Sequence, residues 1–120
     1  MACYLTRLSE AEELRDPRYG AVWELAGTAT DLPALGLAMA EVDPGALSPP
    51  HFHRHMSEAY FILEGEGEMW MDGVRFPVGP GDAISIAPGV VHALGNAGPD
   101  PLRFVVTTAG AYDPDDDIEV

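Results

Sequence analysis

His51 and His53 stand two residues apart, and Glu58 follows His53 at an odd interval of five. On a strand, residues two apart share a face, so both imidazoles project together. Glu58 cannot join them on one continuous strand. The chain must therefore turn between Arg54 and Ser57, and Glu58 opens a second strand, Glu58-Ala59-Tyr60-Phe61-Ile62-Leu63. There Glu58, Tyr60 and Ile62 share one face, and Ala59, Phe61 and Leu63 the other. His92 lies far along the chain and has to arrive on a third strand. Three imidazoles and one carboxylate hold a divalent transition metal through nitrogen and oxygen. A ligand set spread over three strands suits a small barrel with the ion inside its mouth.

The rest of the chain reads as short strands between turns. Leu35 to Val42 is a strand closed by Asp43-Pro44-Gly45, and Tyr19 to Gly27 is a weaker one. Asp72-Gly73 between apolar residues is a strong hairpin signal, pairing Glu68–Met71 with Val74–Val78. Gly79-Pro80-Gly81-Asp82 turns into Ala83–Ala87, Pro88-Gly89 turns into the His92 strand, and Leu102 to Thr108 closes the barrel. Near the N-terminus, Ser9 and Glu12 form a capping box, which predicts a short helical turn ended by Pro17. Strands of this length with regular turns predict an all-β sandwich or barrel. There is no internal repeat or linker, so residues 1–120 read as one domain, with a barrel core over about 35–110 and an acidic tail over 111–120.

The residues also fit a known pattern. Gly45, His51, His53, Glu58 and Gly65 match, without a spacing error, the first motif of the cupins: Gly, five residues, His-x-His, three or four residues, Glu, six residues, Gly. Gly81, Gly89, His92 and Asn96 match the second motif, in which Ala87 stands where a proline is usual and Pro88 follows it. The chain thus resembles a small single-domain, metal-binding cupin. The resemblance implies a jelly-roll β-barrel holding one metal ion, with a homodimer as the expected assembly. It implies a metal-dependent enzyme acting on a small organic metabolite. An oxygen-activating dioxygenase is the first expectation. A non-redox isomerase, cyclase, lyase or decarboxylase is the alternative, and a non-catalytic small-molecule-binding cupin is the third.

Soft ligands are absent from the set, so Fe, Mn, Zn, Ni, Co and Cu all stay eligible. Two coordination positions left free by four protein ligands would admit a chelating substrate, or substrate and dioxygen together. Parity places Tyr60 and Ile62 beside Glu58, and Leu94 beside His92; either Met69 and Met71 or Trp70 face inward. Tyr60 and His55 are the catalytic candidates. Tyr60 could donate to a bound oxyanion or simply form barrel wall. His55 falls where the turn begins, and is either a solvated turn histidine or a proton carrier at the pocket rim. Arg75 and Arg103 could bind a substrate carboxylate, although surface ion pairs are the plainer reading in so acidic a chain.

Twenty acids against six arginines, with no lysine, give a net charge of −14. Phosphate backbones and anionic membranes would be repelled, so neither nucleic acid nor membrane is an expected partner. Asp113, Asp115, Asp116, Asp117 and Glu119 crowd the tail, which reads as a solvated strand end or frayed terminus. Cys3 is the single cysteine, which excludes internal disulfides and thiolate sites and fits a reducing cytoplasm. No run approaches the ~20 apolar residues needed to span a bilayer.

Overall fold

Among the described residues, eleven strands follow the turn signals. They are β1 (Leu14–Asp16), β2 (Gly20–Ala26), β3 (Leu35–Val42), β4 (His51–Phe52), β5 (Glu58–Glu64), β6 (Gly67–Met71), β7 (Val74–Val78), β8 (Ala83–Ile86), β9 (His92–Gly95), β10 (Leu102–Ala109) and β11 (Ile118–Glu119). The structure is a computed structural model that describes residues 3–27, 30 and 32–120. Two antiparallel sheets face each other, with strand orders β1-β2-β3-β10-β5-β8 and β11-β4-β9-β6-β7. This is the jelly-roll arrangement expected from the motifs.

Alternation does the sorting. In β3 every second residue is buried, and in β5 Glu58, Tyr60 and Ile62 point in while Phe61 and Leu63 are exposed. On β6 Met69 is fully buried and Trp70 is exposed, which settles the register in favour of the methionines. Ile62, Met69, Leu94 and Leu102 fill the space between the sheets with almost no exposure. Complete burial of each such side chain contributes about 1.5–3 kcal/mol.

Two glycines are set by backbone geometry. Asp72 and Gly73 both have positive φ, 51° and 80°, the twist that a two-residue hairpin between β6 and β7 requires. Gly65, the last residue of the first motif, has φ 94°, and a Cβ there would meet the Pro101 carbonyl oxygen at 2.9 Å. The second motif is likewise structural at its end. Buried Asn96 donates through Nδ2 to the carbonyls of Val42 (2.9 Å) and Asp100 (2.8 Å), while its own carbonyl accepts from Gly45 N–H at 2.8 Å. One residue thereby joins the ends of both motifs.

Two expectations are corrected. The short N-terminal helical turn is present, as a 3-10 turn over Leu8–Glu10, but its capping box is not: Arg7 precedes the turn with no side-chain cap. Ser9 lies inside it and the chain is extended again at Ala11, so the Ser9/Glu12 box has no helix to cap. The tail, in turn, is neither frayed nor wholly solvated. It makes a second 3-10 turn at Pro114–Asp116, capped by the Asp113 side chain, and then adds β11 to the edge of β4. Asp116 is 5% exposed. No helix among the described residues is long and apolar enough to cross a membrane.

Candidate metal centre

The smaller sheet supplies the imidazoles and the larger one the carboxylate. His51 in β4 pairs directly with His92 in β9, and His53 follows β4 by one residue. Glu58 begins β5, which lies between β8 and β10. Between them the chain bends at Arg54–Ser57, where parity requires the turn. One donor atom from each of His51, His53, Glu58 and His92 lies within 4.8 Å of all the others, so a single ion could be shared.

Each histidine is held in the same way. Nδ1 of His51 donates to the Pro49 carbonyl at 2.8 Å, that of His53 to the Asp116 carbonyl at 2.8 Å, and that of His92 to the Val90 carbonyl at 2.9 Å. A carbonyl can only accept, so each Nδ1 carries a proton, and each Nε2, once it loses its own, can offer its lone pair to an ion at the centre. His53 Nε2 is buried without any hydrogen-bond partner, a cost that a metal ion would remove. The donor set and this orphaned nitrogen both fit a divalent transition metal.

Without an ion the four groups form a charge cluster. Glu58 Oε1 lies 3.1 Å from His92 Nε2 and 3.5 Å from His53 Nε2. Burial pushes the Glu58 carboxyl up, but its contacts with His53 and His92 outweigh this and hold it at about 2. Burial likewise pushes His53 down, and Glu58 together with the Asp116 carbonyl raises it to about 9. His51 is lowered, by burial first and then by His92. Glu58 therefore remains an anion throughout the neutral range.

A cavity of about 600 Å³ opens from this cluster, lined among others by Tyr60, Leu94, Phe104, Tyr19, Tyr112 and Asp117. Tyr60 is buried in the wall, its ring 6.1 Å from that of His92 and 5.0 Å from Phe104. Burial, and then the Glu58 carboxylate, raise the Tyr60 phenol well above its usual range, so it stays protonated. His55 is exposed and absent from the cavity lining; its backbone N–H donates to the Asp116 carboxylate. His55→Ala is expected to keep wild-type metal content in elemental analysis, and a severe loss would move His55 into the site. Arg75 pairs with Glu68 and sits 4.9 Å over the Trp70 ring, and Arg103 pairs with Glu41 at 2.9 Å. Both follow the plainer, ion-pair reading.

The tail contributes what the motifs did not indicate. The Asp116 carboxylate accepts the N–H groups of Arg54 (2.6 Å), His55 (3.0 Å) and Met56 (3.0 Å). Burial raises its pKa, but those three N–H groups bring it below the ordinary range. Asp117 Oδ1 lies 4.0 Å from His51 Nε2, and its Oδ2 accepts the Tyr112 hydroxyl at 2.6 Å. The only local signal was the turn pattern Asp113-Pro114, with Asp113 accepting from Asp115 N–H.

The comparisons with known proteins agree with this geometry. A family model described as "Cupin domain" matches residues 38–108. The chain is 38% identical over 80 residues to the uncharacterized protein MJ1618 of Methanocaldococcus jannaschii, covering 67% of this chain and 64% of that one. It is 38% identical over 99 residues to the dimethylsulfoniopropionate lyase DddW of Ruegeria pomeroyi, covering 80% of this chain and 64% of that one. The chain thus spans under two thirds of the length of both relatives. The polyketide cyclase RemF of Streptomyces resistomycificus superposes with a TM-score of 0.82 at 25% identity, over 99% of this chain and 86% of that one.

Proposed function

The chain belongs to the cupin domain family, and we propose that it is a metal-dependent enzyme carrying out non-redox lyase, dehydratase, isomerase or cyclase chemistry on a small organic metabolite. One observation carries the reading: a carboxylate stands beside the ligand cluster without belonging to it. Asp117, oriented by Tyr112 and 4.0 Å from His51 Nε2, faces the same cavity as the ligands. His51, His53, Glu58 and His92 would hold the ion, which would supply Lewis acidity to a chelated substrate oxygen. Asp117 can accept a proton from the bound substrate, the role of a general base. Tyr60, kept protonated in the wall, can donate to an oxygen that gains charge. The names of DddW, a lyase, and RemF, a cyclase, support the same class.

Oxygen activation is the second reading, because three histidines and one carboxylate suit it as well. The test is a mixture of small metabolites incubated with metal-loaded protein under argon and in air, and profiled by mass spectrometry. Conversion under argon that EDTA abolishes is expected. Asp117→Asn should cut that turnover by roughly 10²–10⁴-fold with metal content retained. Conversion only in air, with oxygen uptake, would replace this reading by the dioxygenase, and no conversion would leave a binding protein.

We also propose a homodimer. Val22 packs against the core, so its neighbour Trp23 on β2 faces away from it and offers an apolar surface for a second copy. A monomeric mass by light scattering would remove this part of the proposal.

A further inference from the structure

We infer that the ligand of this cavity carries a positive charge and is a small organic cation of the ammonium or sulfonium type, bound between aromatic faces and carboxylates. The inference deepens the proposed function, since it concerns the same cavity, but its grounds are the charges of the wall rather than the metal.

Among the described residues, seven carboxylates line the cavity and only two arginines do, Arg15 and Arg18. Neither arginine is available to an anionic substrate. Arg15 is shared between Glu13 (3.1 Å) and Asp43 (3.0 Å), and Arg18 between Asp16 (2.8 Å) and Glu119 (3.0 Å). The chain has no lysine to add. Of the acids, Glu41 is engaged by Arg103. Even after that pair is discounted and a divalent ion is placed among neutral histidines, negative charge stays in excess. A partly desolvated wall strengthens such a field, so an entering anion is opposed and a cation is drawn in.

The apolar part of the lining points the same way. Tyr19, Tyr60, Phe104 and Tyr112 all border the cavity. Aromatic faces attract a weakly hydrated cation through the ring quadrupole, and quaternary ammonium groups are recognised in this manner. Asp117 stands among these rings and on the ligand side of the cavity. A neutral ligand would use the rings and could donate hydrogen bonds, but it would gain no charge attraction from the carboxylates. The volume, about 600 Å³, lies within the range of small-molecule sites.

The experiment is calorimetric titration of zinc-loaded and EDTA-stripped protein with three molecules of nearly one shape. They are choline, its uncharged carbon analogue 3,3-dimethylbutan-1-ol, and the anion 3,3-dimethylbutanoate. Choline is expected to bind at least tenfold more tightly than the carbon analogue, with the anion weakest in the stripped protein. Asp117→Asn, which keeps an oxygen to accept from Tyr112, should reduce the preference for choline several-fold. Equal binding of choline and its carbon analogue, or no binding of choline, overturns the inference. Metal content is read on the same samples. A cation preference in protein that takes up no zinc would sink the metal reading alone, and zinc uptake without the preference would sink this one alone.

Discussion

His53→Ala is expected to lower metal affinity by more than the roughly 10–100-fold typical of losing a group that only supports a ligand. Elemental analysis after dialysis against limiting metal would show the loss as a fall from one ion per chain to a trace. His53 Nε2 is buried, in a residue 3% exposed, and makes no hydrogen bond, with Glu58 Oε1 standing 3.5 Å away. Its Nδ1 is committed to the Asp116 carbonyl, so no ring flip could satisfy both nitrogens equally. The fold should survive. His53 lies just beyond β4, and the substitution removes no ladder hydrogen bond; its carbonyl still accepts Gly89 N–H at 2.6 Å. Glu58 keeps His92 at 3.1 Å. Far-ultraviolet circular dichroism should therefore match the parent protein. Full metal occupancy in the folded variant would mean that the ion, if any, sits elsewhere.

Parity made the centre legible. An even interval from His51 to His53 and an odd one to Glu58 demanded a bend, and the bend lies at Arg54–Ser57. Along β5, the same rule correctly placed Tyr60 and Ile62 on the inner face. It left Met69 against Trp70 undecided, because both faces of β6 are apolar in sequence; pairing with β9 and β7 turned Met69 inward and left Trp70 to Arg75. The tail could not be read at all by such rules. Four aspartates in five residues look like a solvated run, and nothing local shows that one of them meets three N–H groups about sixty positions earlier. His55 lies exposed in the bend, where the turn was expected to begin. It continues the His51-x-His53 alternation in sequence, but the strand ends at Phe52, so the alternation has no face to act on.

Asp116→Ala should then separate the two things this residue does. Its backbone carbonyl orients His53, and its carboxylate gathers the N–H groups of Arg54, His55 and Met56 as the chain leaves β4. Alanine removes only the second. Those three N–H groups lie in a bend without ladder partners, and leaving a buried donor unmade is unfavourable. The bend between two ligands should loosen, and metal affinity in a chelator competition should fall by about 10–100-fold. Amide hydrogen exchange should accelerate at residues 54–56 while strands β3 and β10, in the middle of the larger sheet, keep their protection. Asp116→Asn should fall between, since its one amide oxygen can accept where two carboxylate oxygens did. If Asp116→Ala binds metal as the parent does and exchanges no faster at 54–56, the tail is merely docked on the site. If both change together, the centre is built from the two motifs and from a segment more than sixty residues past His51.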